Sequence, residues 1–384
     1  MNPITISSQF DSGAIDVVRA DDPADIELKV RADNAAEFAQ WFHFRLQGAA
    51  GTPVTLRFSN AGQCAYPKGW EGYQAVASHD RQHWQRVPTS FDGASLTVQF
   101  TPATNSVYLA YFEPYSWERH LDLIGSAAAS DHVQVERLGA TLDGRDIDVL
   151  HITDAASAVK DADKRQIWLI ARQHPGETMA EWFIEGLLER LLDAADPVAR
   201  VLLARCVFHV VPNMNPDGSV RGNLRTNGAG ANLNREWLEP SLDRSPEVWL
   251  VRRCMQNTGV DLFLDIHGDE ALPYNFVAGA EGIVNFTPRL QQLTNAFKSA
   301  WIASCPDFQD KVNYGQTHAT KANPAVATNW MAQAFDCLSF TIEMPFKDNA
   351  NLPDPVTGWS GERARNLGAG VLQPVLAVLG ELRS

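Results

Sequence analysis

The rhythm of hydrophobic and polar positions changes near residue 115. Before it, short segments mix apolar and polar residues and are separated by clusters of Gly, Pro, Asn and Asp: ITISSQ, AIDVVRA, DIELKV, WFHFRLQ, PVTLRFS, SLTVQFT and SVYLAYF. Alternation with a period of two puts one face of a strand on a core, as in Trp41-Phe42-His43-Phe44-Arg45-Leu46. Strands this short and this closely spaced predict an antiparallel β-sandwich over residues 1–115. Beyond it, the runs QIWLIAR, CVFHVVP, DLFLDIHG and CLSFTIEM are continuously apolar, as expected of strands buried on both faces. Met179, Trp182, Phe183, Leu187, Leu188, Leu191 and Leu192 recur at three- and four-residue spacing and predict an amphipathic helix covering the sheet. Further helices are predicted near 246–257, 288–303, 324–335 and 361–382. Strands alternating with helices imply an α/β unit over residues 116–384 with a substantially parallel sheet.

Length and composition agree with two units. A chain of 384 residues exceeds the size at which one core usually stops growing. With 45% apolar and 20% charged residues it has the makeup of a globular protein. The opening MNPITISSQF lacks a basic start followed by an apolar stretch, and no segment approaches the roughly 20 apolar residues that span a bilayer. A cytoplasmic protein with no membrane partner is the resulting expectation. The formal charge of −14 argues against nucleic acid as a partner, since phosphate binding needs a basic surface. Cys64, Cys206, Cys254, Cys305 and Cys337 are scattered and never form a CxxC pair. They are expected to be small apolar fillers rather than a disulfide framework or a cysteine-type zinc site.

Candidate chemistry clusters at the ends of the apolar runs. His174-Pro175-Gly176-Glu177 follows the strand ending at Ala171 and precedes the amphipathic helix. This is the carboxyl end of the sheet, where α/β proteins usually build their sites. Taken alone, an HxxE is weak evidence. His267, in Asp261-Leu262-Phe263-Leu264-Asp265-Ile266-His267-Gly268, ends another apolar strand; two imidazoles and a carboxylate are a ligand set that leaves zinc a fourth position. A satisfied core histidine is the competing account of His267. Asp265 shares its strand face and is placed to orient a ligand, or is a simple strand-end charge. Glu343, in Phe340-Thr341-Ile342-Glu343-Met344-Pro345-Phe346, is a carboxylate where an apolar strand ends, costly unless paired or functional. Asn215-Pro216-Asp217-Gly218 reads as a turn, and the segments around Arg225 and Asn234-Arg235 bring guanidinium groups suited to gripping a carboxylate.

The ordered set HPGE, NPDG, GNLR, LNREW, DIHG and TIEMPF closely resembles the zinc carboxypeptidases, and the leading unit, with WFHFRL and Phe112-Glu113-Pro114-Tyr115-Ser116, resembles the extra domain of their cytosolic branch. The resemblance implies a mixed, largely parallel central sheet flanked by helices. It implies one Zn²⁺ per chain on His174, Glu177 and His267, acidifying water and polarising the scissile carbonyl. Glu343 is implied as general base, Arg225 as the group steadying the oxyanion, and Asn234 with Arg235 as the clasp on a terminal carboxylate. The family's mobile tyrosine has only Tyr314 as a counterpart between Asn313 and Phe340, at an unusual distance from Glu343, with aromatic packing as its other account. A peptide or protein C-terminus is the implied partner. Relatives of this branch often remove acidic residues, for which Arg221, Lys321 or Lys347 would have to supply local positive charge. An N-acyl amino acid amidohydrolase and a non-catalytic binding module are the competing readings.

Overall fold

The computed structural model describes residues 3–314 and 322–383. Its first part contains strands β1 (Thr5–Ser7), β2 (Asp16–Arg19), β3 (Ile26–Lys29), β4 (His43–Gln47), β5 (Val54–Phe58), β6 (Val76–Ser78), β7 (Gln85–Arg86), β8 (Thr89–Phe91), β9 (Leu96–Phe100) and β10 (Ser106–Ala110). They form two five-stranded sheets in the orders β1-β4-β10-β6-β7 and β2-β3-β5-β9-β8. Every pairing is antiparallel except β3 with β5, where Ile26 stands beside Leu56. Alternating burial along β5 and β9 turns Val54, Leu56, Phe58, Leu96 and Val98 onto the core, as period-two patterning requires.

The second part runs α1 (Trp117–Ala128), β11 (Val133–Ala140), β12 (Asp146–Ile152), β13 (Arg165–Ala171), α2 (Met179–Leu191), α3 (Pro197–Arg205), β14 (Cys206–Val211), α4 (Pro216–Arg221), α5 (Pro246–Thr258), β15 (Leu262–Asp269), β16 (Phe276–Gly279), α6 (Pro288–Ser304), α7 (Ala327–Phe335), β17 (Leu338–Pro345), α8 (Gly361–Gly370) and α9 (Leu372–Val378). One seven-stranded sheet, β11-β12-β14-β13-β15-β17-β16, organises it. The four central strands β14, β13, β15 and β17 are parallel, and the margins are antiparallel. Those four are the continuous apolar runs, and β14, β15 and β17 are buried at every position.

The helix at 179–192 forms as α2 and buries Phe183, Ile184, Leu187, Leu188 and Leu191, each worth about 1.5–3 kcal/mol relative to exposure. It packs against α8 at backbone contact: a Cβ on Gly186 would sit 2.0 Å from the Arg365 carbonyl oxygen, and one on Gly368 would sit 1.9 Å from that of Phe183. The expected single helix over 361–382 is broken into α8, α9 and a closing 3-10 turn. Pro374 has no N–H for the Gly370 carbonyl, so the helix restarts there. The NPDG segment is more than a turn, since Asn215 accepts from the Gly218 N–H at 3.0 Å and Pro216 opens α4.

The two parts share a core. Tyr111 stacks on Phe346 with ring centroids 4.4 Å apart, and Asn223 donates to Asn34 Oδ1 at 2.6 Å. Among the described residues no helix is long and apolar enough to cross a membrane.

Candidate active site

The parallel register brings the candidate residues together. On neighbouring strands, His267 of β15 stands directly beside Glu343 of β17, so both side chains emerge on one face at the carboxyl end of the sheet. The adjacent strand β13 ends at Ala171, and the loop after it carries His174 and Glu177. Arg172 shapes that loop. It is buried at φ +60°, and its guanidinium donates to the Pro175 carbonyl at 3.0 Å, to the Tyr115 carbonyl at 2.9 Å and to Glu181 Oε2 at 2.6 Å. A non-glycine residue in the left-handed region is held there only by surroundings that over-determine it, and these contacts do so.

His174, Glu177 and His267 are all buried and converge. His174 Nδ1 lies 2.7 Å from Glu177 Oε1, His267 Nδ1 lies 2.7 Å from Glu177 Oε2, and the two Nδ1 atoms are 3.2 Å apart. Their outer nitrogens fix the tautomers: His267 Nε2 faces Asp265 Oδ2 at 2.9 Å, and His174 Nε2 faces Asn232 Oδ1 at 3.1 Å. Both acceptors suit an Nε2–H, so each imidazole in its neutral form turns an Nδ1 lone pair inward onto Glu177. Against burial, the charges of Asp265 and Glu177 raise the His267 pKa well above the ordinary value, and a bound cation would take the place of that extra proton. Three electron-pair donors aimed at one point fit a cation, and two imidazoles with a carboxylate fit zinc in particular.

Asp265 is itself held. Gln173 Nε2 donates to Asp265 Oδ2 at 2.7 Å, and Trp237 Nε1 donates to Gln173 Oε1 at 2.8 Å, which sets the amide orientation. The electrostatics follow the same design. Burial alone would raise the Glu177 pKa, but His174 and His267 together hold its carboxyl below the usual range. Burial, with the Arg225 charge second, pushes His174 down to about 4.

Glu343 is buried, and burial, reinforced by Glu177 and Asp269, raises its pKa well above the usual carboxylate value. One oxygen lies 2.9 Å from the Tyr314 hydroxyl, while Oε2 is buried with no hydrogen-bond partner among the described residues. The single Tyr314 proton is shared with Asp269 Oδ2, 2.8 Å away, and the ring packs edge-on against Phe276. Packing and a polar contact with Glu343 thus both occur at this tyrosine.

The arginines gather nearby. Arg225 lies over the rings of Phe38 and Tyr66, at 5.6 and 5.5 Å, and its charge acts on both His174 and Arg235. Arg235 is exposed and donates to the Asn234 carbonyl at 2.6 Å. Among the described residues neither guanidinium forms an ion pair with a carboxylate. Asn234 is buried, its Oδ1 accepting from the Ala327 N–H at 2.9 Å and its Nδ2 lying 3.4 Å from His267 Nε2. Of the cations considered for an acidic substrate, Arg221 is tied to Asp143 at 2.6 and 2.9 Å, and Lys347 Nζ donates to the Ala271 carbonyl at 3.1 Å. Lys321 lies outside the described residues.

Sequence reasoning missed Asp33. Its buried carboxylate accepts the N–H groups of Leu224, Arg225 and Thr226 at 2.6, 2.8 and 2.9 Å and the Thr226 hydroxyl at 3.0 Å. The leading unit therefore sets the loop that carries Arg225. Nothing in the local pattern around Asp33 signals this, because its partners lie about 190 residues downstream.

Two family models match the chain. Residues 120–357 match the family model described as zinc carboxypeptidase, and residues 6–112 match that of the cytosolic carboxypeptidase N-terminal domain. A metallo-carboxypeptidase structure from Burkholderia cenocepacia is 52% identical with a TM-score of 0.94, covering 97% of this chain and 98% of that one. A metallo-carboxypeptidase from Pseudomonas aeruginosa, solved with (2-guanidinoethylmercapto)succinic acid, is 48% identical with a TM-score of 0.94, covering 99% and 100%. Danio rerio cytosolic carboxypeptidase 2 is 30% identical over 299 residues, 69% of this chain and 41% of that protein. The chain thus spans less than half of that curated relative.

Proposed function

Because the chain belongs to the zinc carboxypeptidase family of metal-dependent hydrolases, we propose that it is a cytoplasmic exopeptidase that uses one Zn²⁺ to remove the terminal residue of a peptide or protein, or a glutamate linked through a side chain. The convergence of His174 Nδ1, His267 Nδ1 and Glu177 within 2.7–3.2 Å carries this reading. A divalent ion held there supplies Lewis-acid polarisation and lowers the pKa of water toward about 7.

Glu343 serves as general base. It lies beside His267 in the register, and its buried Oε2 has no hydrogen-bond partner among the described residues. Its raised pKa brings its proton affinity closer to neutral pH, where a base is most effective, and lets the same group return the proton to the leaving amine. Arg225 steadies negative charge developing on the carbonyl oxygen. Arg235 clasps the terminal carboxylate, with Asn234 beside it, which restricts cleavage to a chain end. The Pseudomonas relative was solved with a dicarboxylic acid, in keeping with recognition of a carboxylate by a protein of this family. Tyr314 contacts substrate from the Glu343 side. We assign residues 1–115 to an N-terminal β-sandwich domain whose Asp33 positions Arg225, and residues 116–384 to the catalytic domain.

A peptide panel varying the last residue, with free and amidated ends, tests this by mass spectrometry with and without chelator. Loss of single terminal residues from free ends only, abolished by chelation and restored by zinc, is expected. Internal cleavage, or turnover indifferent to chelation, contradicts it.

A further inference from the structure

A second set of metal-type donors lies on the far margin of the seven-stranded sheet, where none of the residues above reaches. Glu136 of β11, His151 of β12 and Cys254 of α5 each offer a ligand atom, all within 4.8 Å of one another. Glu136 pairs with Val149, two positions before His151, so the two polar side chains are diagonal neighbours on one face of the hairpin. Cys254 meets them from the helix that covers that face. The scattered cysteines suggest apolar fillers, yet Cys254 gains these partners because α5, far along the chain from the β11–β12 hairpin, packs against it.

A relay of hydrogen bonds fixes the protons. Gln166 Nε2 donates to the carbonyls of Asp161 and Lys164, both at 3.2 Å, so its Oε1 must face His209 Nε2, 2.7 Å away. His209 is buried and stacks on Trp168 with ring centroids 4.6 Å apart. Neutral, it carries its proton on Nε2 and accepts at Nδ1 from His151 Nδ1–H, 2.7 Å away. That leaves the His151 Nε2 lone pair pointing at Glu136 Oε2, 2.9 Å away. Two electron pairs at that distance need a positive charge between them. A proton would serve the pair alone; the Cys254 sulfur as third donor favours a metal.

We propose that Glu136, His151 and Cys254 bind a divalent transition-metal ion of the zinc type, pinning the β11–β12 hairpin to α5. The mixed thiolate, imidazole and carboxylate set suits Zn²⁺ or Co²⁺ rather than Mg²⁺ or Ca²⁺. His209 and Gln166 orient His151 from behind, as the outer partners of a ligating imidazole do. Binding displaces the Cys254 thiol proton to solvent.

The test is titration of the chelator-stripped full chain with Co²⁺, read by absorption. Only a thiolate ligand gives sulfur-to-cobalt charge transfer in the near ultraviolet, and the donor set at His174, Glu177 and His267 contains no sulfur. This separates the proposal from the one above. Because the His174, Glu177 and His267 set also takes Co²⁺, two equivalents per chain should bind, and one of them should develop the band. Cys254→Ser should abolish it, Cys305→Ser should leave it intact, and Glu136→Gln should weaken Co²⁺ binding at least tenfold. Glu136 is half exposed, so its variant tests binding without threatening the fold. Absence of the band, its persistence in Cys254→Ser, or unchanged affinity in Glu136→Gln overturns the proposal.

Discussion

Replacing Asp265 with Asn probes how the candidate metal centre is built, because the change is nearly isosteric and touches no ligand atom. In the native site Asp265 Oδ2 accepts from both His267 Nε2, at 2.9 Å, and Gln173 Nε2, at 2.7 Å. If the Asn oxygen takes that place, both bonds persist but lose the carboxylate charge, which roughly halves their strength. The imidazole then becomes a poorer ligand. If the amide turns the other way, its NH₂ confronts two donors, and His267 is driven to the tautomer with a proton on Nδ1, where the metal should sit. The first case sets the lower bound and the second the upper, matching the roughly 10–100-fold loss of metal affinity typical of such outer partners. That is about 1.4–2.7 kcal/mol. Competition against a chromophoric chelator measures it, and the melting temperature of the metal-free protein checks folding. Unchanged affinity in a folded Asp265→Asn variant would refute the reasoning.

Four further outcomes follow from the same geometry. Glu343→Gln should retain its metal by elemental analysis while losing about 10²–10⁴-fold in kcat; near-normal turnover removes Glu343 from the chemistry. Arg235→Ala should weaken productive binding of substrates with a free carboxylate by about 1.5–3 kcal/mol, read as KM, while leaving binding of amidated peptides, measured as competitive inhibitors, unchanged. Glu343 acts deprotonated and its pKa lies above the ordinary 4.5, so kcat/KM should fall as pH drops through that raised value; Tyr314→Phe, which removes a donor favouring the carboxylate, should shift the acid limb to higher pH. A limb that stays or moves lower contradicts this. Asp33→Ala leaves three buried N–H groups without their acceptor, so it should cost about 3 kcal/mol in denaturant unfolding and lower kcat/KM roughly 100-fold by misplacing Arg225.

The parts of the fold legible in the sequence were those whose pattern is set by burial on both faces or by helical spacing. β13, β14, β15 and β17 are near-continuous apolar runs, and α2 carries an apolar face broad enough to read directly. The hairpin β11–β12 escaped because β11, VQVERLGA, is an edge strand with charged residues and little full burial. β16 has only four residues at the opposite edge. At the site, His174, Glu177, His267 and Glu343 stood out because each is a polar residue closing or following an apolar strand. Asp33, Arg172 and Gln173 did not, since their importance lies in contacts made across the fold. Arg221 and Lys347 show the reverse limit: a cation near a motif can be committed to Asp143 or to backbone carbonyls.

The ligand set itself can be observed by anomalous diffraction at the zinc absorption edge, using crystals of the zinc-loaded protein. A peak within bonding distance of His174 Nδ1, His267 Nδ1 and the Glu177 carboxylate is the predicted result. Full occupancy by zinc elsewhere, with those three side chains turned away from one another, would contradict it.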